Sequence, residues 1–207
     1  MEIDNFEDIE IVCEEYEAYA SECEAALRIA LARITNMQAA MERSEERSPF
    51  DSIQTRIKSF ESVIDKCSRK GYDLNIDSIK KNICDIAGIR IITPFRDDIM
   101  RIRDLLKSIP GNNVRKIKDY VTEPKPNGYS SLHLYVEIEI FLPTGPKYVP
   151  VEIQIRDKAM DMWAAVEHII KYKNPNPSPE TEAKFKEIAD VLVQFDYMAI
   201  ELRDFDI

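Results

Sequence analysis

The sequence predicts an α+β fold, a mixed and mainly antiparallel β-sheet flanked by helices. Three observations predict it. Residues 6–45 contain no Gly or Pro and are rich in Ala, Glu, Leu and Ile, a helical composition. Residues 132–141 and 148–156 alternate apolar and polar side chains with a period of two, as half-buried strands do. Helical patterns stand before, between and after these strands, an order that gives α+β.

The elements follow in chain order. Residues 6–45 form one or two helices, and Ser48-Pro49 ends them. Residues 52–70 read as a helix, because Ile53, Ile57, Phe60, Val63 and Ile64 recur near a 3.6 period; Gly71 then fits a helix stop. A short helix over 76–84 precedes a β-branched run, 86–93, that reads as a buried strand. Residues 96–109 are helical and close at Pro110-Gly111. A second strand covers 114–120, and 124–128 is a loop with two Pro and a Gly. In the strand 132–141, Leu132, Leu134, Val136, Ile138 and Ile140 face one way, His133, Tyr135, Glu137 and Glu139 the other. A hairpin loop at 143–146 leads into the strand 148–156. A helix over 158–173, a Pro-rich break at 174–179 and a helix over 180–203 complete the chain. We expect a single domain: an N-terminal helical segment (1–47), a core (48–173) and a C-terminal helix (180–207).

Charge is distributed unevenly. The chain has 38 acidic and 28 basic residues, a net charge of −10. Residues 1–27 hold ten acids and no base, so the rest is formally neutral and any anion site lies there. The acidic stretch reads as a solvated helix face, and there is no general nucleic-acid signature. No apolar run is long enough to cross a membrane, and the acidic N-terminus does not resemble a signal peptide. Four scattered cysteines and two histidines form no zinc or disulfide pattern, so a cytoplasmic protein with reduced thiols is expected.

Several short stretches could carry chemistry. Lys58 and Ser62, four apart on the expected helix with Arg56 at the edge, suit a polyphosphate; the alternative is a solvated face. Asp85, five residues before Arg90 at the mouth of a strand, could be a Mg²⁺ ligand, a helix cap or half of a buried ion pair. Gly88 between them permits close backbone approach. Lys125-Pro-Asn-Gly-Tyr129 presents a Lys and an aromatic ring, either a stacking platform or a lid on the core. Glu152, Gln154 and Arg156 share one face of a strand whose other face is apolar, so Glu152 is a metal ligand or general base unless that face is an exposed edge. His133 shares its strand's polar face and either reaches a phosphate or is held in the core. Glu167 and Lys171 can pair, and His168 reads as structural.

Together these pieces resemble one family. Arg56-Ile-Lys-Ser, Asp85-Ile-Ala-Gly-Ile-Arg90, Lys125-Pro-Asn-Gly-Tyr129-Ser-Ser-Leu-His133, Val151-Glu-Ile-Gln-Ile-Arg156 and Met160-Asp-Met-Trp163-Ala-Ala-Val-Glu167-His168 stand in the order found in RelA/SpoT-type alarmone synthetases. The resemblance covers about residues 48–173, with flanking helices like those of the small, single-domain members, and implies a nucleotidyltransferase-like synthetase domain. It implies transfer of the β,γ-pyrophosphate of ATP to the 3′-hydroxyl of GDP or GTP, or in some members GMP. It also implies roles: Arg56 and Arg90 around the adenine, Lys58 and Ser62 on the ATP phosphates, and Asp85 and Glu152 on Mg²⁺, with Glu152 helping to deprotonate the acceptor. On the acceptor side, Tyr129 stacks on guanine, Lys118, Lys125 and His133 line the phosphates, Gln154 lies near the ribose and Asp161 near the base. A homotetramer is a frequent assembly of such proteins.

Neither His precedes an Asp, so the family's hydrolase signature is absent and synthesis without hydrolysis is expected; the chain is also too short for a long regulatory tail. Two departures fall on the expected acceptor side: Ser130 where a basic residue is common, and Asp157 where Thr is usual. The alternatives are a toxic cousin that modifies the 3′ end of tRNA or adenosine nucleotides, and a silent nucleotide-binding regulator. A tRNA acceptor would need a basic docking surface, which residues 1–27 do not offer.

Overall fold

The computed structural model describes residues 6–44, 47–174 and 177–206. Its helix α1 (Phe6–Ser44) is a single element of 39 residues. Next come β1 (Ser52–Ile57), α2 (Phe60–Lys70), α3 (Ile76–Asn82) and β2 (Ala87–Thr93). Then follow α4 (Asp98–Ser108), β3 (Asn113–Asp119), β4 (Leu132–Leu142), β5 (Gly145–Asp157), α5 (Lys158–Lys173) and α6 (Pro179–Asp206). Of the Pro-rich break expected at 174–179, residues 175 and 176 lie outside the described residues.

The five strands form one sheet in the order β1-β2-β5-β4-β3. Only β2 and β5 run parallel; the other neighbours are antiparallel. Thus β5 is central, and its polar residues cannot be an exposed edge. One face is apolar. On β4, Leu132, Leu134, Val136, Ile138 and Ile140 are buried, and on β5 Val151, Ile153 and Ile155. Helix α1 lies across β2, β4 and β5 and seals this face with Tyr16, Tyr19, Cys23, Ala26, Leu27, Ala30 and Ile34; α4 adds Ile99, Ile102 and Leu106. Removing this apolar surface from water is the main stabilising term. A smaller cluster of Tyr129, Met160, Trp163, Phe185 and Ala189 joins the loop before β4 to α5 and α6. Gly128, at φ +87°, lies so close to α6 that a Cβ there would sit 2.4 Å from the Ala189 Cβ.

One expected element is different. Residues 52–70 are not a single helix: 52–57 are the edge strand β1 and the helix begins at Phe60. Ile53 and Ile57 are four apart, a spacing that fits both a helical turn and every second residue of a strand, so periodicity alone could not separate them. Ser59 marks the true start, because its side chain caps α2 by accepting from the Ser62 N–H at 3.3 Å. Gly71 ends α2 in the left-handed conformation, as expected.

Candidate active site

Strand register assembles the polar face. One row across the sheet reads Arg56, Gly88, Glu152, Tyr135 and Lys116; the next reads Gln54, Arg90, Gln154, His133 and Lys118. Residues paired across strands point to the same side, so ten positions from five strands share one surface.

Glu152 sits at its centre, nearly buried. His133 Nδ1 is 3.0 Å from Oε1, and Gln154 Nε2 donates to Oε2 at 2.8 Å. Burial pushes its pKa up, but the hydrogen bond and electrostatic attraction of His133, then hydrogen bonds from Gln154 and Tyr135, outweigh it and bring the pKa down to about 2. The Tyr135 hydroxyl is driven the other way, by burial and then by the Glu152 charge, with a smaller contribution from Asp85. Both carboxylates therefore act on one phenol. Asp85, just before β2, holds two ammonium groups: Lys58 Nζ at 3.2 Å and Lys66 Nζ at 2.8 Å. Lys58 does not share a helix with Ser62. It follows β1, its N–H bonded to the Ile86 carbonyl at 2.9 Å, whereas Ser62 is in the first turn of α2 with its hydroxyl 3.0 Å from that of Ser59. Lys66 was not singled out in the sequence; its place four residues after Ser62 on α2 is the signal that could have found it.

Arginines border Glu152 on one side. A groove of about 200 Å³ runs along β1 and β2, lined by Gln54, Thr55, Arg56, Gly88, Arg90 and Gln154. A Cβ on Gly88 would meet Arg56 Cγ at 3.3 Å, so glycine gives the arginine stem its room. Burial lowers the pKa of Arg90, and the nearby Arg156 and Arg56 charges lower it further. The Nε atoms of Arg90 and Arg156 are buried without a hydrogen-bond partner. Clustered guanidinium groups with unused donors favour an anion or a flat ring.

The groove opens into a cleft of about 820 Å³ that shares Arg56, Arg90 and Gln154 and is walled by the 125–129 loop and α5. Here the side chains already hold one another. Lys125 Nζ lies 4.7 Å from the Tyr129 ring centre and 4.9 Å from that of Tyr120. Tyr129 is 9% exposed and packs beside Trp163 at 6.0 Å. It is therefore a lid on the second core as well as a cleft wall, not an open platform. Asn127 donates to Glu167 at 2.6 Å, Lys171 pairs with Glu167 at 2.9 Å as expected, and Asp161 pairs with Arg156. Burial lowers the Lys125 pKa, against the opposing pull of Glu167. Lys118 Nζ lies 5.1 Å over the Tyr135 ring.

His168 is exposed on the cleft wall, its ring stacked on Tyr172. Two expectations need correction. Ser130 is fully buried and its hydroxyl has no partner, so it does not stand where a cation could meet a ligand's phosphate. Asp157 is fully buried too; it caps α5 by accepting from the Met160 N–H at 2.7 Å and lies 3.7 Å from Arg96.

The structure thus gathers Arg56, Arg90, Gln154, Lys125, Tyr129 and Asp161 around one cleft, with Glu152 and His133 beside Gln154 on the sheet. Asp85, Lys58 and Lys66 form a separate group at the mouth of β2, outside the lining of both cavities, while Ser62 stays in the first turn of α2 beside Ser59. No cluster of three or more His, Cys, Asp or Glu is present among the described residues. Mg²⁺ does not need one, since one or two carboxylates plus substrate phosphates suffice. Asp85 and Glu152 are hard carboxylates of that kind, and the charge of each acts on the Tyr135 hydroxyl.

A model described as a region found in RelA / SpoT proteins matches residues 55–177. The chain is 43% identical over 145 residues to the GTP pyrophosphokinase YwaC of Bacillus subtilis, covering 70% of this chain and 69% of that protein. It is 35% identical over 149 residues to the GTP pyrophosphokinase YjbM of the same organism, covering 72% and 69%. The crystal structure of small alarmone synthetase 1 from Bacillus subtilis bound to its product pppGpp superposes with a TM-score of 0.84 at 29% identity, covering 92% of this chain and 97% of that one.

Proposed function

The chain belongs to the RelA/SpoT family, and from that premise we propose that it is a GTP pyrophosphokinase: it moves the β,γ-pyrophosphate of ATP to the 3′-hydroxyl of GDP or GTP and makes ppGpp or pppGpp. One observation carries the reading. A buried Glu152, its pKa held down to about 2, is hydrogen-bonded to Gln154, and Gln154 lines both the arginine-lined groove and the aromatic, mixed-charge cleft that opens from it.

The 3′ oxygen attacks the β-phosphorus of ATP, the bond from that phosphorus to the α–β bridging oxygen breaks, and AMP leaves. Such a transfer needs positioning and charge neutralisation and little covalent help. Arg56 and Arg90 take the adenine. Lys58 and Lys66 exchange Asp85 for ATP phosphates, and Ser62 adds a hydroxyl. Asp85 and Glu152 would hold Mg²⁺, which when bound neutralises charge on the transferring group. Held near pKa 2, Glu152 stays ionised and accepts the hydrogen bond of the 3′-hydroxyl; its low basicity makes orientation its larger contribution. Tyr129 and Asp161 take the guanine, Gln154 the ribose, and Lys118 and Lys125 the acceptor phosphates. Tyr129 can stack on a base once Lys125 leaves its ring for a phosphate, a move assisted by the cost of keeping that ammonium buried.

The reading extends to self-association. Ile188, Val191, Phe195, Met198, Leu202 and Phe205 are exposed on α6 at alternating spacings of three and four, a seam that a second copy of the chain would cover, with a tetramer as the proposed assembly. No helix among the described residues is long and apolar enough to cross a membrane, and the four cysteines are unpaired, in keeping with a cytoplasmic enzyme.

The test is direct. The protein is incubated with Mg²⁺, ATP labelled at its terminal phosphate and, separately, GDP, GTP, GMP, AMP or tRNA. Label should move to GDP and GTP at the 3′ position, with AMP released in equal amount. Label on tRNA or AMP alone would replace this reading.

A further inference from the structure

Among the described residues, Ser131 is the one buried polar group touching the central histidine that the proposed reaction leaves without a role. It is fully buried just before β4, its carbonyl held by the Tyr120 N–H at 2.9 Å. Its hydroxyl lies 2.8 Å from His133 Nε2, and the Tyr129 hydroxyl lies 3.4 Å from the same nitrogen. The other ring nitrogen, Nδ1, faces Glu152 at 3.0 Å. A carboxylate can only accept, so Nδ1 carries the hydrogen. Nε2 faces two hydroxyl groups, which can donate to its lone pair or accept from its hydrogen. Glu152 thus fixes the hydrogen on Nδ1, and Ser131 engages Nε2. Both ring nitrogens are used inside the protein, which leaves His133 no free position for a ligand's phosphate.

We propose that Ser131 is a positioning residue: through His133 it sets the direction of the Glu152 carboxylate. This rests on the reading of Glu152 as the carboxylate at the reacting centre. Three donors pin Glu152, but Gln154 and Tyr135 are themselves polar groups of the cleft face. His133 is the donor whose own orientation is locked from behind, and Ser131 is the lock. Residues that orient a ligating or acid–base group in this way typically contribute ten- to a hundredfold in activity.

The chain has only two histidines, His133 and His168, so ¹⁵N-histidine labelling resolves both rings. In the full-length protein, one ring should show a protonated Nδ1, which Glu152 fixes, and Ser131→Ala should shift the Nε2 resonance of that ring while leaving Nδ1 protonated. Ser131→Ala should lower kcat about tenfold or more, with KM for ATP and GDP within twofold of wild type. The amide of Asn can occupy the place of Nδ1, and that of Gln the place of Nε2. His133→Asn should therefore keep more activity than His133→Gln. An Nε2–H tautomer in the wild type, an unchanged kcat in Ser131→Ala, or Gln outperforming Asn would each overturn the proposal. Full turnover by Glu152→Gln would instead overturn the functional reading itself, while the Nε2 shift in Ser131→Ala would still report on Ser131.

Discussion

The two sides of the cleft are built differently. The arginine groove stands on strands β1 and β2, whose register places Arg56 beside Gly88 and Gln54 beside Arg90. Its guanidinium groups crowd one another and keep a buried Nε unused. On the opposite side, a loop and a helix supply the groups, and these satisfy one another: Lys125 on Tyr129, Asn127 and Lys171 on Glu167, Arg156 on Asp161. The first side is preformed and carries the electrostatic strain of like charges. The second is relaxed, and a ligand must exchange its internal contacts for new ones. Preorganised sites bind without that cost, so the ATP side should bind alone and the acceptor side should depend on what it must give up.

The largest effect tests what the sides share. Glu152→Gln and Asp85→Asn should each reduce pyrophosphate transfer at least a thousandfold, on the order of 4 kcal/mol of transition-state stabilisation, since each removes an anionic oxygen from the reacting centre. Circular dichroism should show an intact fold, and near-normal turnover by both in Mg²⁺ would remove the centre from the account. Next, Arg90→Ala should raise KM for ATP about tenfold and leave KM for GDP unchanged. It should also raise Tm, because it relieves repulsion among Arg56, Arg90 and Arg156. Melting curves and steady-state kinetics on one preparation check both halves.

On the acceptor side, Tyr129→Leu is preferable to Ala, because Tyr129 also fills the second core. It should cost about 1–3 kcal/mol of acceptor binding, the worth of one base–aromatic stack, with ATP affinity unchanged. Weakened ATP binding with unaltered GDP binding would mean the two nucleotides lie the other way round. Ser130→Arg, which restores the family's basic residue, should not improve use of GDP or GTP. It would bury a guanidinium at a fully enclosed position and lower stability by several kcal/mol, visible as a fall in Tm.

The smallest effect is one of pH and lies away from both sides. Asp196 on α6 is nearly buried; burial first and then the facing Asp157 raise its pKa to about 7, while Arg96 pulls the other way. The folded state holds this proton more tightly than the unfolded chain. Its stabilising contribution is therefore complete below about 4 and is lost as pH rises through 7. Asp196→Asn should flatten the fall in Tm between pH 5 and 8 and melt higher than wild type at pH 8. Glu152 acts in the opposite sense, losing its contribution as pH falls from 4.5 toward 2.

Much of this was legible in the sequence because strands announce which residues share a face. The alternation at Glu152, Gln154 and Arg156 and at Leu132 to Ile140 set the polar and apolar faces before any register was known. Capping and turn residues such as Gly71 and Pro110-Gly111 located the helix ends. Edge strand β1 was not legible, because Ile53 and Ile57 serve either period, and with it the true position of Lys58 was lost. Nor could spacing show that Ser130 and Asp157, expected on the acceptor side, are fully buried. The mutual capping of Lys125 and Tyr129 depends on how loop 124–128 folds back through Gly128 against α6, a long-range contact that no local pattern encodes.

Calorimetric titration of each nucleotide alone tests the contrast between the two sides most directly. A non-hydrolysable ATP analogue with Mg²⁺ should bind the protein with the same affinity whether or not GDP is present. GDP should bind weakly by itself, and Lys125→Met should change GDP affinity while leaving the analogue's untouched. Tight GDP binding that is indifferent to Lys125, with an analogue that binds only after GDP, would contradict a preformed ATP side facing a self-occupied acceptor side.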